Sequence, residues 1–364
     1  MFYNPTFLWE LRKLVDPSKI FIHEIFHPDD FTSCYFEEIK NKIIVLIYLG
    51  EYHTFKWVEE LLCRTKLKSE QNEYTNYYII ISIHEYELSG YEEYKDYFTV
   101  IFEPTLYSYY SFLFKNNYKI SNDKKLYFLC LNQRANHIRQ SLYYFFHKFT
   151  LMEKSYFSYL GNLNSNVHYD SYKSYDEIHA KITQNNTPWY SKNIDYKMLI
   201  EQVPFSTVKN DSVKNNGLDL PDSFCFMDTF CSVITETFDS ENYGFLSEKT
   251  FKAIAGFHPF IIYGNRGNIA LLQQLGFKTF SDFWDESYDD YSENVRFEMI
   301  LHLILEIGNW PMDKINSIHK QMVPILEHNY NHLFNTLPKM FYSNKDKLFE
   351  KILNVINSHE AVKQ

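Results

Sequence analysis

The stretch Leu126-Tyr127-Phe128-Leu129-Cys130-Leu131-Asn132-Gln133-Arg134-Ala135-Asn136-His137-Ile138-Arg139 decides the fold. Leu126 to Leu131 is an unbroken apolar run of strand length, and the polar residues after it read as a loop. Ile138, Leu142, Phe145, Phe146 and Phe149 then recur at the spacing of one helical face. Strand, polar loop and amphipathic helix in that order make half of a βαβ unit.

The same alternation extends in both directions. Upstream, Lys42 to Tyr48 (KIIVLIY), Tyr77 to Ile83 (YYIIISI) and Tyr97 to Phe102 (YFTVIF) read as strands, with helical spacing over Thr54 to Cys63. Downstream, residues 160–225 are rich in Asn, Ser, Asp and Tyr and offer few clear elements. Order returns with Phe226 to Glu236, a helix from about Glu248 to Ala255, and a strand at Pro259 to Tyr263. A short helix over Ile269 to Leu275 and longer ones over Ser292–Ile307 and Met312–Asn335 complete the chain, the last expected to kink at Pro324. Strands alternating with helices predict an α/β protein with mainly parallel sheets. The expected division is 1–125, 126–310 and a C-terminal helical segment, 311–364.

Composition narrows the function classes. The 364 residues suit two domains, with 45% hydrophobic and 23% charged side chains. A net charge of −10 argues against nucleic acid, whose binding rests on Lys and Arg neutralising phosphates. No run approaches the ~18 apolar residues that span a bilayer, so no transmembrane segment is expected. Met1 to Lys13 lacks the apolar core of a signal peptide. The 5 cysteines are scattered without a C-x-x-C pair, which suits reduced thiols and a cytoplasmic location. The 31 Tyr and 32 Phe fit either an AT-rich genome or an aromatic binding surface.

Two constellations could carry chemistry. Arg139 falls in the first helical turn after a strand, where free backbone N–H groups, the helix dipole and a guanidinium can converge on a phosphate. The plain alternative is a solvated helix arginine. Further on, Ser247 is placed to cap a helix whose first turn holds Glu248 and Lys249. A cation there opposes the dipole, and a bound anion would remove the conflict. Glu248 suits the hydroxyls of a ribose. An ordinary capped surface helix reads the same way.

These segments resemble the alpha-1,3-fucosyltransferase family. That family carries a strand ending in Glu-Asn-Ser, a short gap, Tyr-Val-Thr-Glu-Lys opening a helix, and then a Pro-(Val/Ile) strand ending in Gly. Here the order is Ser232-Val233-Ile234-Thr235-Glu236-Thr237, Phe245-Leu246-Ser247-Glu248-Lys249, then Gly256 and Pro259 to Gly264. Asn132 and Arg139 are similar to an upstream Asn and Arg pair of the family. Ile81-Ser82-Ile83-His84-Glu85-Tyr86-Glu87 and the later Asp96-Tyr97 are similar to its acidic turn and the strand that follows. Phe245 replaces a tyrosine and Thr237 an asparagine, and the gap from Glu236 to Phe245 is longer by about two residues.

The resemblance implies two Rossmann-like domains facing across a cleft, the GT-B architecture, with the N-terminal domain taking the acceptor. It implies an inverting glycosyltransferase that moves a sugar from a nucleoside diphosphate donor to a glycan hydroxyl. GDP-fucose is the family's donor, a substrate rather than a cofactor, and the sugar here need not be fucose. Glu85 would be the general base, with Glu87 as its competitor. Arg139 and Lys249 would hold the diphosphate, Glu248 the ribose, and Asn132 and Glu236 would complete the donor site. The rival reading is a non-catalytic sugar- or nucleotide-binding protein that keeps the fold.

Other motifs point the same way or carry less. No D-x-D occurs, which fits a site that uses cationic side chains in place of a metal. His23-Glu24-Ile25-Phe26-His27 is a literal H-E-x-x-H, but Ile20 to Phe26 reads as a strand and Pro28 follows at once. In a strand its histidines would lie roughly 13 Å apart, too far for one zinc ion. No metal is expected. In Phe280 to Tyr291 (FSDFWDESYDDY), Trp284 either stacks on a sugar or anchors a loop.

Overall fold

The computed structural model describes residues 5–25, 39–48, 63, 65–71, 73, 76–82, 92–162, 174–184, 196–208, 219–236 and 244–362. In chain order the main elements are α1 (Pro5–Lys13), β1 (Ile20–Ile25), β2 (Ile43–Tyr48), β3 (Tyr77–Ser82), β4 (Phe98–Phe102), β5 (Leu126–Arg134), α2 (His137–Lys148) and β6 (Ser155–Asn162). Next come α3 (Tyr175–Gln184), α4 (Tyr196–Glu201), β7 (Phe205–Ser206), α5 (Ser223–Asp228), β8 (Thr229–Thr235), α6 (Glu248–Ala255) and β9 (Phe260–Tyr263). The chain ends with α7 (Asn268–Gln274), α8 (Glu293–Gly308), α9 (Met312–Asn331) and α10 (Leu337–Val362).

Contacts divide the chain into two units, Met1–Phe112 with Phe334–Gln364, and Leu113–Leu333. The sequence placed the first boundary at 125/126 and grouped all of 311–364 together. Instead α9 belongs to the second unit and α10 to the first. The cause is local packing. Leu348, Phe349, Ile352 and Ile356 form a buried stripe on α10, and Phe7 of α1 meets Phe341 and Phe349 at 5.4 and 5.2 Å between ring centroids. Lys345 adds an ion pair to Glu10.

The first unit holds a parallel sheet in the order β1-β2-β3-β4, with no reversal among the described strands. Ile44, Val45, Leu46, Ile47, Ile79 and Ile81 have no exposed surface. A parallel sheet covered on both faces reads as continuous apolar runs, which is why KIIVLIY and YYIIISI lack alternation.

The second unit holds a sheet in the order β7-β6-β5-β8-β9, parallel except for β7. The chain starts in the centre at β5, builds to one side through β6, then crosses to β8 and β9 on the other. The reversal between β5 and β8 is a topological switch point, and this order is Rossmann-like. Phe128 on β5 packs edge-on to Phe146 of α2 at 5.8 Å, so the predicted helical stripe does face the sheet.

Four expectations need correction here. Asn132, Gln133 and Arg134 read as a loop, yet they extend β5, because Asn132 pairs with Tyr159 and, after a register shift, Arg134 with Asn162. Residues 160–225 contain more than was legible: the end of β6, then α3, α4, β7 and α5. Only two apolar anchors on α3, Ile178 and Ile182, are buried at i,i+4, too few to stand out in a polar stretch. The run from Phe226 opens as the last turn of α5, and β8 starts at Thr229. The helix predicted to end at Asn335 continues through Pro324 to Asn331 and passes through a π turn, His332–Thr336, into α10.

Candidate functional site

Arg139 is set by the way α2 begins. Asn136 is extended at φ −151° and its side-chain oxygen accepts from Arg139 N at 2.9 Å, a conventional N-cap. The capped turn directs the guanidinium inward, and Arg139 is only 4% exposed. That rules out a solvated helix arginine. Its Nε donates to Thr235 Oγ1 at 3.1 Å, Nη2 to the Thr235 carbonyl at 3.3 Å and Nη1 to the Arg134 carbonyl at 3.4 Å. Thr235 Oγ1 in turn donates to Asn132 Oδ1 at 2.6 Å, and Asn132 N donates to Ser158 Oγ at 3.2 Å. The guanidinium therefore joins the carboxyl ends of β5 and β8, the two strands that flank the switch point. Replacing Asn136 with Ala should cost about 1 kcal/mol of stability in urea unfolding, the usual worth of such a cap.

The next residue along from Thr235 begins a second network. Glu236 accepts from Ser247 N at 3.1 Å, from Thr250 Oγ1 at 2.7 Å and from the Ser247 hydroxyl. Ser247 caps α6 as its sequence position predicts, accepting from Lys249 N at 3.3 Å. Lys249 Nζ donates to Ser247 Oγ at 3.1 Å and stands 3.8 Å from Glu236 Oε2 and 3.7 Å from Glu248 Oε1. The conflict between Lys249 and the helix dipole is thus answered inside the protein by two carboxylates. Burial raises the pKa of Glu236, opposed by the Lys249 charge and by the hydrogen bonds from Ser247 and Thr250.

The end of β9 closes around this cluster. A Cβ on Gly264 would come within 2.8 Å of Glu236 Cβ and 2.6 Å of Asn268 Nδ2, so only glycine lets the strand end pass. Asn268 Oδ1 accepts from Phe245 N at 2.5 Å and fixes the approach to α6. Arg296, 1% exposed, donates to the Gly264 carbonyl, and its Nε and Nη2 donate to the Tyr291 carbonyl at 3.2 and 3.0 Å. Asp289 accepts from Ile269 N at 3.0 Å and Ala270 N at 3.3 Å, supplying the cap that Gly267 cannot give α7. Burial pushes the Asp289 carboxyl up to about 6.

Of the residues singled out in the sequence, Asn132, Arg139, Glu236, Glu248 and Lys249 come together at the carboxyl ends of β5 and β8. Glu85 and Glu87 lie outside the described residues, as does His27. Asp96 is exposed, at the amino-terminal end of β4, beside a cavity of about 510 Å³ that Tyr77, Lys95, Thr99 and His359 also line. Thr235, Thr250, Ser158 and Asn268 were not assigned from sequence. Thr235 lies within a quoted motif, but its partner Arg139 is far off in the chain and no local pattern reveals the pairing.

Two other motifs resolve. Trp284 is 6% exposed and packs against Phe280 at 5.3 Å and Phe230 at 6.3 Å, so it anchors its loop and offers no face to a sugar. His23 and Glu24 sit in β1, paired with Leu46 and Ile47 of β2, so H-E-x-x-H is not helical there. Among the described residues, no helix is long and apolar enough to cross a membrane.

No family model matches the chain, and none of the curated proteins compared with it does. Fold and site therefore define its class alone: an α/β protein whose second unit carries a buried, cation-bearing polar cluster at a topological switch point.

Proposed function

We propose that the chain is an inverting, metal-independent glycosyltransferase that binds a nucleoside diphosphate sugar at the switch point of its second unit. One observation carries this reading. Two cationic side chains, from the starts of α2 and α6, converge on successive residues at the end of β8, Thr235 and Glu236. In open α/β sheets ligands gather at that place, and helix starts favour anions there.

In this reading Arg139 and Lys249 face the diphosphate, Glu248 the ribose, and the first unit provides the acceptor side of a GT-B pair. A glycan hydroxyl gives its proton to the Glu85 carboxylate as its oxygen bonds to the anomeric carbon. The bond from that carbon to the diphosphate oxygen breaks with its electron pair, and the cations stabilise the charge that builds there. One displacement inverts the anomeric centre.

The test is calorimetry with GDP. Arg139→Ala and Lys249→Ala are each expected to weaken binding by roughly 1.5–3 kcal/mol, the range for hydrogen bonds to charged groups. Wild-type affinity in both variants would move the site elsewhere.

A further inference from the structure

The hydrogen bonds around Ser247 form a closed set. A serine hydroxyl has one proton and two lone pairs. Here the proton goes to Glu236 Oε2, and the lone pairs accept from Lys249 N at 3.3 Å and Lys249 Nζ at 3.1 Å. Glu236 is equally committed. Oε1 accepts from Ser247 N and Thr250 Oγ1, while Oε2 takes the Ser247 hydroxyl and faces Lys249 Nζ. The Glu236 side chain has 0% exposure, whereas Lys249 keeps 23%. A ligand atom could reach the carboxylate only by breaking these bonds. Glu236 therefore does not suit the direct donor contact that its place in the motif suggested.

We propose that Glu236 is a positioning residue: it holds Ser247, and through the Ser247 hydroxyl it fixes the Lys249 ammonium at the start of α6 for contact with a diphosphate. The proposal rests on the nucleotide-sugar reading and deepens it. The physical need is specific to this position. A lysine carries about 2 kcal/mol of rotamer entropy on a flexible stem, and the helix dipole pushes its charge away from the first turn. Left alone, the ammonium would swing outward to water. A buried carboxylate linked to it through one hydroxyl offsets both tendencies. Glu248, 3.7 Å from the same ammonium, adds further attraction. Gly264 contributes sterically, since a side chain there would strike Glu236 Cβ and Cγ.

The experiment is a double-mutant cycle read by ligand binding. Wild type, Glu236→Gln, Lys249→Met and the double variant are titrated with GDP, UDP, ADP and dTDP, and with the nucleoside of whichever diphosphate binds. Glu236→Gln keeps the shape of the side chain and removes its charge. It is expected to weaken the diphosphate about tenfold, one hydrogen bond to a charged group, and to leave the nucleoside unaffected. Added to Lys249→Met it should change little, because no ammonium remains to be placed. Should Glu236→Gln fail to fold, Ser247→Ala removes the linking hydroxyl alone and should show the same pattern.

Full diphosphate affinity in Glu236→Gln beside a weakened Lys249→Met would overturn the proposal and leave the binding site standing. Additive losses in the double variant, or an equal loss for the bare nucleoside, would make Glu236 a general structural support and overturn it as well. A wild-type protein that binds none of the four diphosphates would overturn both this proposal and the reading beneath it.

Discussion

Glu85→Gln is expected to bind GDP as wild type does and to release GDP from GDP-fucose ~10²–10⁴-fold more slowly, the usual worth of a positioned general base. The chain leaves β3 at its carboxyl end, Ser82, and Glu85 follows soon after in sequence. Two facts about β3 give that exit its importance. It is an interior strand, paired in parallel with β2 and β4, and every one of its residues is buried. Polar groups that follow such a strand are the first side chains able to meet a ligand.

Glu87 is the control. It is close in sequence and equal in charge, so Glu87→Gln should lose much less if Glu85 is the base. Measurements with a glycan acceptor and with water alone separate the two functional classes. A pure binding module turns over nothing in either, whereas an enzyme hydrolyses its donor slowly without acceptor. Full, equal activity in both variants would remove Glu85 from the mechanism and leave the diphosphate site untouched.

The strands with the plainest sequence signatures are those buried on both faces. β2, β3 and β9 carry little polarity because no face meets water, and their apolar runs identified them to within a residue. β6 shares that environment but spells Ser155-Tyr156-Phe157-Ser158-Tyr159, and its serines are buried by hydrogen bonding rather than by hydrophobicity. Ser155 Oγ donates to the Leu151 carbonyl at 2.8 Å, and Ser158 Oγ accepts from Asn132 N at 3.2 Å. Such partners cannot be seen from composition.

The site divides along the same line. The Ser247 cap and the first-turn Lys249 are local facts, fixed by neighbours in the chain, so they were legible. Long-range partners were not. Arg139 reaches Thr235 across 96 residues, and Arg296 reaches the Gly264 carbonyl across 32, each by a buried guanidinium that a sequence presents as an ordinary polar helix residue. Glu236 was found as a motif position, but its role as an inward-facing anchor depended on where Ser247 and Thr250 fold back onto it.

His319→Leu is expected to raise unfolding free energy at pH 4.5 by about 2.7 kcal/mol relative to its effect at pH 7, the work of about 1.4 kcal/mol per pH unit over two units. His319 of α9 has 0% exposure, and neither ring nitrogen has a hydrogen-bond partner. Phe230 of β8 lies 6.3 Å away, edge to face. The charged neighbour is Lys124, whose Nζ donates to the carbonyls of Phe226 and Met227 at 2.9 and 3.3 Å. Burial first, and Lys124 second, lower the His319 pKa from 6.5 to about 3. Burial also lowers Lys124 to about 7, so at acid pH it is charged and opposes a second cation. His258, buried beside them, is held well below the ordinary histidine range by burial, and Lys124 and His319 push it in the same direction. For a base whose folded pKa is depressed, the unfolded chain takes up the proton first. The stability is complete above pH 6.5 and is lost as pH falls toward 3. Glu236, Glu286 and Asp289, raised by burial, act in the opposite direction, but they are common to both proteins and cancel in the difference. Urea unfolding of the two proteins from pH 7 to 4.5 reads the effect directly. Parallel curves would mean that His319 is protonated as easily in the folded protein as in the unfolded chain, and that its burial beside Lys124 costs the cation nothing.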